Sequence, residues 1–278
     1  MKIIDGLKYI DSCYENGKFS KSKWNIYIEN ICLGAKKLIE IDSADYDFIQ
    51  DILPVLNLAY SKRNSLETLH RSFCRATYNL EDKIRSVLHM EIDADVVLCL
   101  GLCNGAGWAT KINGRPTVLL GIEKIIELDW CDESDMIGLI YHELGHLWHE
   151  QSRSAEINIK TYEDKALWQL YSEGVAMYFE QLLCENERFY HQDKNGWLDW
   201  CKENRRRLFV EYLERIEKKE NIQDFFGDWQ SFEGYSDIGY FLGAELVRSA
   251  LYTLPIEKIL NFTPIDIKQH LQLCLNDS

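Results

Sequence analysis

The sequence predicts an α+β fold, mostly helical. Three observations carry this. Apolar residues recur at helical spacing through much of the first 90 residues, and again from about residue 133 onward. Between these regions, residues 94–122 are rich in residues that favour strands. That stretch contains Asn113-Gly114, a strong two-residue hairpin signal.

Residues 1–20 give weak signals. Trp24, Ile28, Ile31 and Leu38 mark a helix over 24–39. A second helix over 44–60 contains Pro54, whose ring and missing N–H predict a kink or break. Asn64 with Glu67 has the form of a capping box, opening a longer helix with the stripe Leu66, Leu69, Phe73, Leu80, Ile84 and Leu88. Residues 1–92 are therefore expected to form an N-terminal helical layer whose stripes serve core packing. Residues 93–278 form the second expected region. Ala94–Leu102 reads as a strand, 104–107 as a turn, 108–112 as a second strand and Thr117–Ile122 as a third. The expectation is a small antiparallel sheet packed against the helix that follows. Its edge strand either pairs with an extended peptide through main-chain hydrogen bonds or only supports that helix.

Asp132, with Asp135 three residues on, suits the start of that helix. Met136, Ile137, Ile140, Leu144 and Leu147 give it a half-buried character. A polar connection over 151–162 leads to a long helix over 162–183, and a polar loop over 186–198 to a charged amphipathic helix over 199–220. The loop 221–236 carries Phe225, Phe226, Trp229, Phe232 and Tyr235, as a cleft wall or as ordinary packing. A further helix starts near Asp237, and two short ones follow Pro255 and Pro264.

Composition narrows the function. The 278 residues contain no run of 18 apolar ones, so no membrane span is expected. The first residues lack the long apolar core of a signal peptide, and a cytoplasmic protein is expected. Nine scattered cysteines without a C-x-x-C fit reduced, mostly buried thiols better than a disulfide framework or a Cys-rich zinc site. The net charge is −14, and all of it lies beyond residue 90, the first 90 residues being about neutral. That argues against a nucleic-acid partner. It either steers cationic substrates or simply keeps the surface solvated.

The chemistry centres on Tyr141-His142-Glu143-Leu144-Gly145-His146-Leu147-Trp148-His149. On a helix, His142 and His146 share a face with Cβ atoms about 5–6 Å apart. That suits two imidazoles reaching one zinc ion. Glu143 would sit beside the ion without binding it, able to take a proton from a water. With 7 His and 25 Glu in the chain, H-E-x-x-H arises by chance in about 1–2 such chains per hundred. The alternative is a surface helix with two satisfied histidines.

A catalytic zinc site needs a third protein ligand. His149 lies one turn past His146 on the same helix, which would carry it past the ion. The metzincin pattern H-E-x-x-H-x-x-G-x-x-H fails, since its Gly position is His149 and its last His position is Ser152. Glu173 is the better choice, on the next helix, where the small Gly174 and Ala176 would let the two helices approach. Glu180, two turns on, is the runner-up.

His142-Glu143-x-x-His146 followed by Glu173-Gly-Val-Ala176 resembles the gluzincin group of zinc metallopeptidases, whose third ligand is a Glu on the helix after the motif helix. Cys103-Asn-Gly-Ala-Gly107, Leu120-Gly-Ile-Glu123 and Gly234-Tyr235-Ser-Asp-Ile-Gly239-Tyr240-Phe-Leu-Gly243 are similar to a poorly characterised bacterial group of predicted zinc-dependent proteases. The resemblance covers residues 95–250. It implies a zincin-like fold, Zn2+ on His142, His146 and Glu173, and Glu143 as the general base that hydrolyses a peptide or protein substrate. It also implies an oxyanion stabiliser from a later segment: Tyr240 first, then Tyr235, with His191 a weaker third. One departure is Met177, where several gluzincins carry an Asp that orients a ligand His. The competing readings are a catalytically idle zincin-fold protein that binds a peptide or protein partner, and a helical scaffold without metal. The intact Glu143 argues against an idle site.

Overall fold

The computed structural model describes residues 1–227 and 229–276. The chain is α+β and mostly helical, with a small mixed sheet. It divides into two compact units, Met1–Leu147 and Trp148–Ser278.

In the first unit, β1 (Lys2–Asp5) leads through a 3-10 segment, Gly6–Cys13, into a small ribbon of β2 (Tyr14–Glu15) and β3 (Lys18–Phe19). Helices α1 (Lys21–Ile31), α2 (Ala35–Asp42), α3 (Leu53–Ser61), α4 (Arg63–Thr77) and α5 (Leu80–Leu88) follow. The helix expected over 24–39 is thus two. Gly34, at φ 92°, turns the chain between them with a left-handed conformation that a side chain would resist. Pro54 falls in the first turn of α3, directly after a π-helical turn, Phe48–Ile52, so the expected irregularity is a widened turn on the N-terminal side of the proline. The capping box at Asn64 does not form. Helix α4 already starts at Arg63, and the long helix expected here breaks between Thr77 and Leu80.

The main sheet comprises β1, β4 (Asp95–Cys99), β6 (Arg115–Gly121) and β5 (Gly107–Ile112), in that order. The expectation of an antiparallel sheet needs correction. β1–β4 and β4–β6 are parallel, and only β5–β6 is antiparallel. The N-terminal segment is not purely helical either, because β1 supplies an edge of this sheet. The hairpin forms as its sequence predicts. Ile112 pairs with Arg115, and Asn113 and Gly114 take φ 51° and 80°, the positive values a type I′ turn requires. Val96–Cys99 and Thr117–Gly121 are buried throughout, so the sheet centre is covered on both faces.

Helix α6 (Ile122–Glu127) follows the sheet, and α7 (Glu133–Ser152) carries the histidine motif. Every residue from Gly138 to Gly145 is buried. His142 and Glu143 are therefore buried, while His146 is half-buried.

The second unit is helical. It contains α8 (Tyr162–Leu183), α9 (Trp197–Glu203), α10 (Arg205–Lys218), α11 (Ile238–Leu251), α12 (Ile256–Ile259) and α13 (Pro264–Asn276). A capping box fixes the start of α8: Asp164 N–H donates to the Thr161 hydroxyl, and the Asp164 carboxylate accepts from Thr161 N–H. Helix α8 packs most extensively on α11. A Cβ built on Gly174 would overlap the backbone of Gly243, and one on Gly243 would overlap Leu170 and Gly174. The two backbones thus touch with no side chain between them. Gly174 faces α11, and the close approach that its missing side chain allows is with that helix. No described helix is long and apolar enough to cross a membrane.

Candidate metal centre

His142 and His146 lie one turn apart on α7, with ring centroids 4.9 Å apart and planes at 84°. Glu173 comes from α8, in the turn that holds the Gly174–Gly243 crossing. One ligand atom from each of His142, His146 and Glu173 lies within 4.8 Å of the others. Around one tetrahedral zinc, such atoms stand about 3.3–3.6 Å apart. His142 is 2 % exposed, while His146 and Glu173 are half-buried. Two imidazoles and a carboxylate are a three-ligand set that leaves a coordination position for water or substrate, so the donor chemistry fits zinc.

Glu143 is also buried and packs against the sheet. A Cβ placed on Gly107 would lie 2.8 Å from Glu143 Cγ, 2.9 Å from its Oε1 and 3.0 Å from Leu139 Cδ1. The Glu143 side chain therefore fills the space that a side chain at the start of β5 would take. Gly107 brings the edge strand against the carboxylate. In the sequence Gly107 ends a turn and closes the stretch 103–107, and no local signal marks its contact with Glu143.

The turn between β4 and β5 is held by a buried carboxylate. Glu123 Oε1 accepts from Cys103 N–H at 2.8 Å, and its Oε2 from Gly101 N–H at 3.1 Å. Leu102 and Cys103 are both left-handed, at φ 55° and 63°. Successive N–H groups held this way form a concavity suited to an anion. Burial pushes the Glu123 carboxyl above the usual carboxylate range, and the N–H donors pull it back only in part. Gly121 N–H donates to Ala106 O at 2.9 Å. The stretches 103–107 and 120–123, separate in sequence, are thereby joined.

The remaining candidates lie elsewhere. His149 is a core histidine: its Nε2 is 3.2 Å from both Leu260 O and Tyr171 OH, and its ring stacks on Trp168. Glu180 is fully buried with His191, whose Nδ1 lies 3.0 Å from each Glu180 oxygen and whose backbone N–H donates to Oε1. The runner-up ligand and the third oxyanion candidate are thus each other's partners. Met177 Sδ faces Gln192 Nε2 at 3.9 Å. Tyr235 stacks on Trp200 with centroids 4.1 Å apart, outside any helix. Tyr240 lies in the first turn of α11, one turn before Gly243, with its ring 6.1 Å from that of Phe226. Of the two tyrosines, Tyr240 is the one placed within a turn of the crossing beside Glu173.

The likeness to gluzincins rests on the residues quoted above. No family model matches this chain, and no curated protein or solved structure matches it either.

Proposed function

We propose that the chain is a zinc-dependent metallopeptidase with a zincin-like catalytic region. The observation that carries this reading is the convergence of His142, His146 and Glu173, with Glu143 adjacent in the motif and held against the edge strand through Gly107. Zinc held by His142, His146 and Glu173 would supply a Lewis acid, polarising a water and the scissile carbonyl. Glu143 removes a proton from the water as its oxygen attacks the carbonyl carbon. Glu143 then returns that proton to the amide nitrogen as the C–N bond breaks, giving an acid and an amine. The Tyr240 hydroxyl donates to the developing oxyanion. β5 holds the substrate in extended form, because it hydrogen-bonds β6 on one side and forms the sheet edge on the other.

The test is hydrolysis of a mixed peptide pool by the zinc-loaded chain, read by mass spectrometry. New termini that vanish in Glu143→Gln support the reading; an intact pool with zinc bound rejects it. Two further outcomes are expected. Gly107→Val should push the Glu143 carboxylate from its place, lowering kcat at least about tenfold with zinc content unchanged. Equal kcat would show that the contact does not position the base. Tyr240→Phe should lower kcat by about 100-fold with little change in KM, as loss of one oxyanion donor does. If Tyr235→Phe rather than Tyr240→Phe has that effect, the donor is Tyr235.

A further inference from the structure

A second set of ligand-type side chains lies wholly within residues 1–147 and uses none of the peptidase residues. His70 and Cys74 are one turn apart on α4, and His70 Nδ1 is 3.9 Å from Cys74 Sγ. Asp5, the last residue of β1, reaches the same point: its Oδ2 is 2.9 Å from His70 Nδ1. One ligand atom from each of the three lies within 4.8 Å of the others.

The Asp5 carboxylate supplies an independent observation. Its side chain is only 7 % exposed. Oδ1 accepts from Leu7 N–H at 3.1 Å, capping the 3-10 segment. Oδ2 is buried and makes no hydrogen bond among the described residues. Lys8 Nζ, at 3.6 Å, is too far, and the His70 nitrogen is near enough but not aligned to donate. A buried carboxylate oxygen beside an imidazole nitrogen that is not aimed at it is an arrangement that a shared cation satisfies. In the neutral tautomer with the proton on Nε2, both atoms offer lone pairs to that cation.

The donor set points to the type of ion. A thiolate, an imidazole and a carboxylate suit a borderline-soft divalent ion, not magnesium or calcium. Cys74 is the exposed cysteine of the nine, so the remaining position is open to water. We propose that Asp5, His70 and Cys74 form a zinc site that ties the end of β1 to α4. Binding releases the Cys74 proton, since the thiolate is the ligand.

Cobalt(II) tests this, because only thiolate ligation gives intense near-ultraviolet charge transfer. The His142–His146–Glu173 group contains no sulfur and is silent in that region. The full chain, kept reduced with a non-thiol reductant, is titrated with cobalt. The expected result is a charge-transfer band that saturates at one cobalt per chain for this site. It should be absent in Cys74→Ser, at least tenfold weaker in apparent affinity in His70→Ala, and unchanged in Glu173→Ala. No band in the wild-type chain with excess cobalt would overturn the proposal, leaving a plain Asp5–His70 ion pair. A band that persists in Cys74→Ser would also overturn it. The peptidase reading stands or falls separately, on Glu173→Ala and peptide cleavage.

Discussion

Glu143→Gln should retain zinc and lose peptide hydrolysis by about 10²–10⁴-fold, the usual contribution of a positioned general base. That corresponds to about 3–5 kcal/mol of barrier. The amide keeps the shape that packs against Gly107 but cannot take a proton from water. The loss should fall on kcat and leave KM nearly unchanged, because Glu143 acts in the transition state and not in substrate binding. Steady-state kinetics on a peptide drawn from the cleaved pool, with metal analysis of the same samples, checks it. Normal turnover with zinc bound would remove Glu143 from the mechanism. If the wild-type chain binds zinc and cleaves nothing, the idle peptide-binding reading replaces the enzyme.

Glu173→Ala should have the largest effect on metal content. Losing one of three ligands leaves two imidazoles. Zinc affinity should fall by more than the 10–100-fold typical when a partner of a ligand is lost. Elemental analysis after dialysis is best done in a Cys74→Ser background, so that only the His142–His146–Glu173 group is counted. One zinc per chain should drop to well below one in Glu173→Ala and stay near one in Glu180→Ala. Glu180 is engaged with His191 inside the second unit, so its loss should lower stability without removing the ion. Zinc that remains in Glu173→Ala would reject the carboxylate ligand.

What could be read from the sequence follows a physical line. Helix α8 matches its expected span, Tyr162–Leu183, because its limits are set by neighbouring residues: the Thr161–Asp164 box at one end and the polar run beyond Leu183 at the other. The β5–β6 hairpin is legible for the same reason, since Asn113-Gly114 encodes its own turn. β1 was not legible. It is four residues long, and its partner begins at Asp95, with five helices between. The parallel pairing of β4 with β6 is likewise non-local, and the only local strand signal, the Asn113-Gly114 hairpin, points to antiparallel pairing. Helix breaks at Gly34 and Asn204 were smoothed over by apolar stripes that continue in phase across them. In α7 the polar His142 and Glu143 are buried, which an apolar stripe does not reveal. In the candidate site, the two histidines and Glu143 follow from one motif. Glu173 needed a second helix. The contact of Gly107 with Glu143 has no sequence signal, because the part of Gly107 is to leave room.

A sheet edge that could take a substrate strand could equally take any extended chain. β5 is only six residues long and carries an exposed Lys111 near its far end. Short length and an edge lysine are the usual deterrents to edge-to-edge stacking. Replacing Lys111 with a β-branched apolar residue would therefore trade colloidal stability for a stickier strand. Storage behaviour at high concentration, rather than catalysis, is where that change would first be felt.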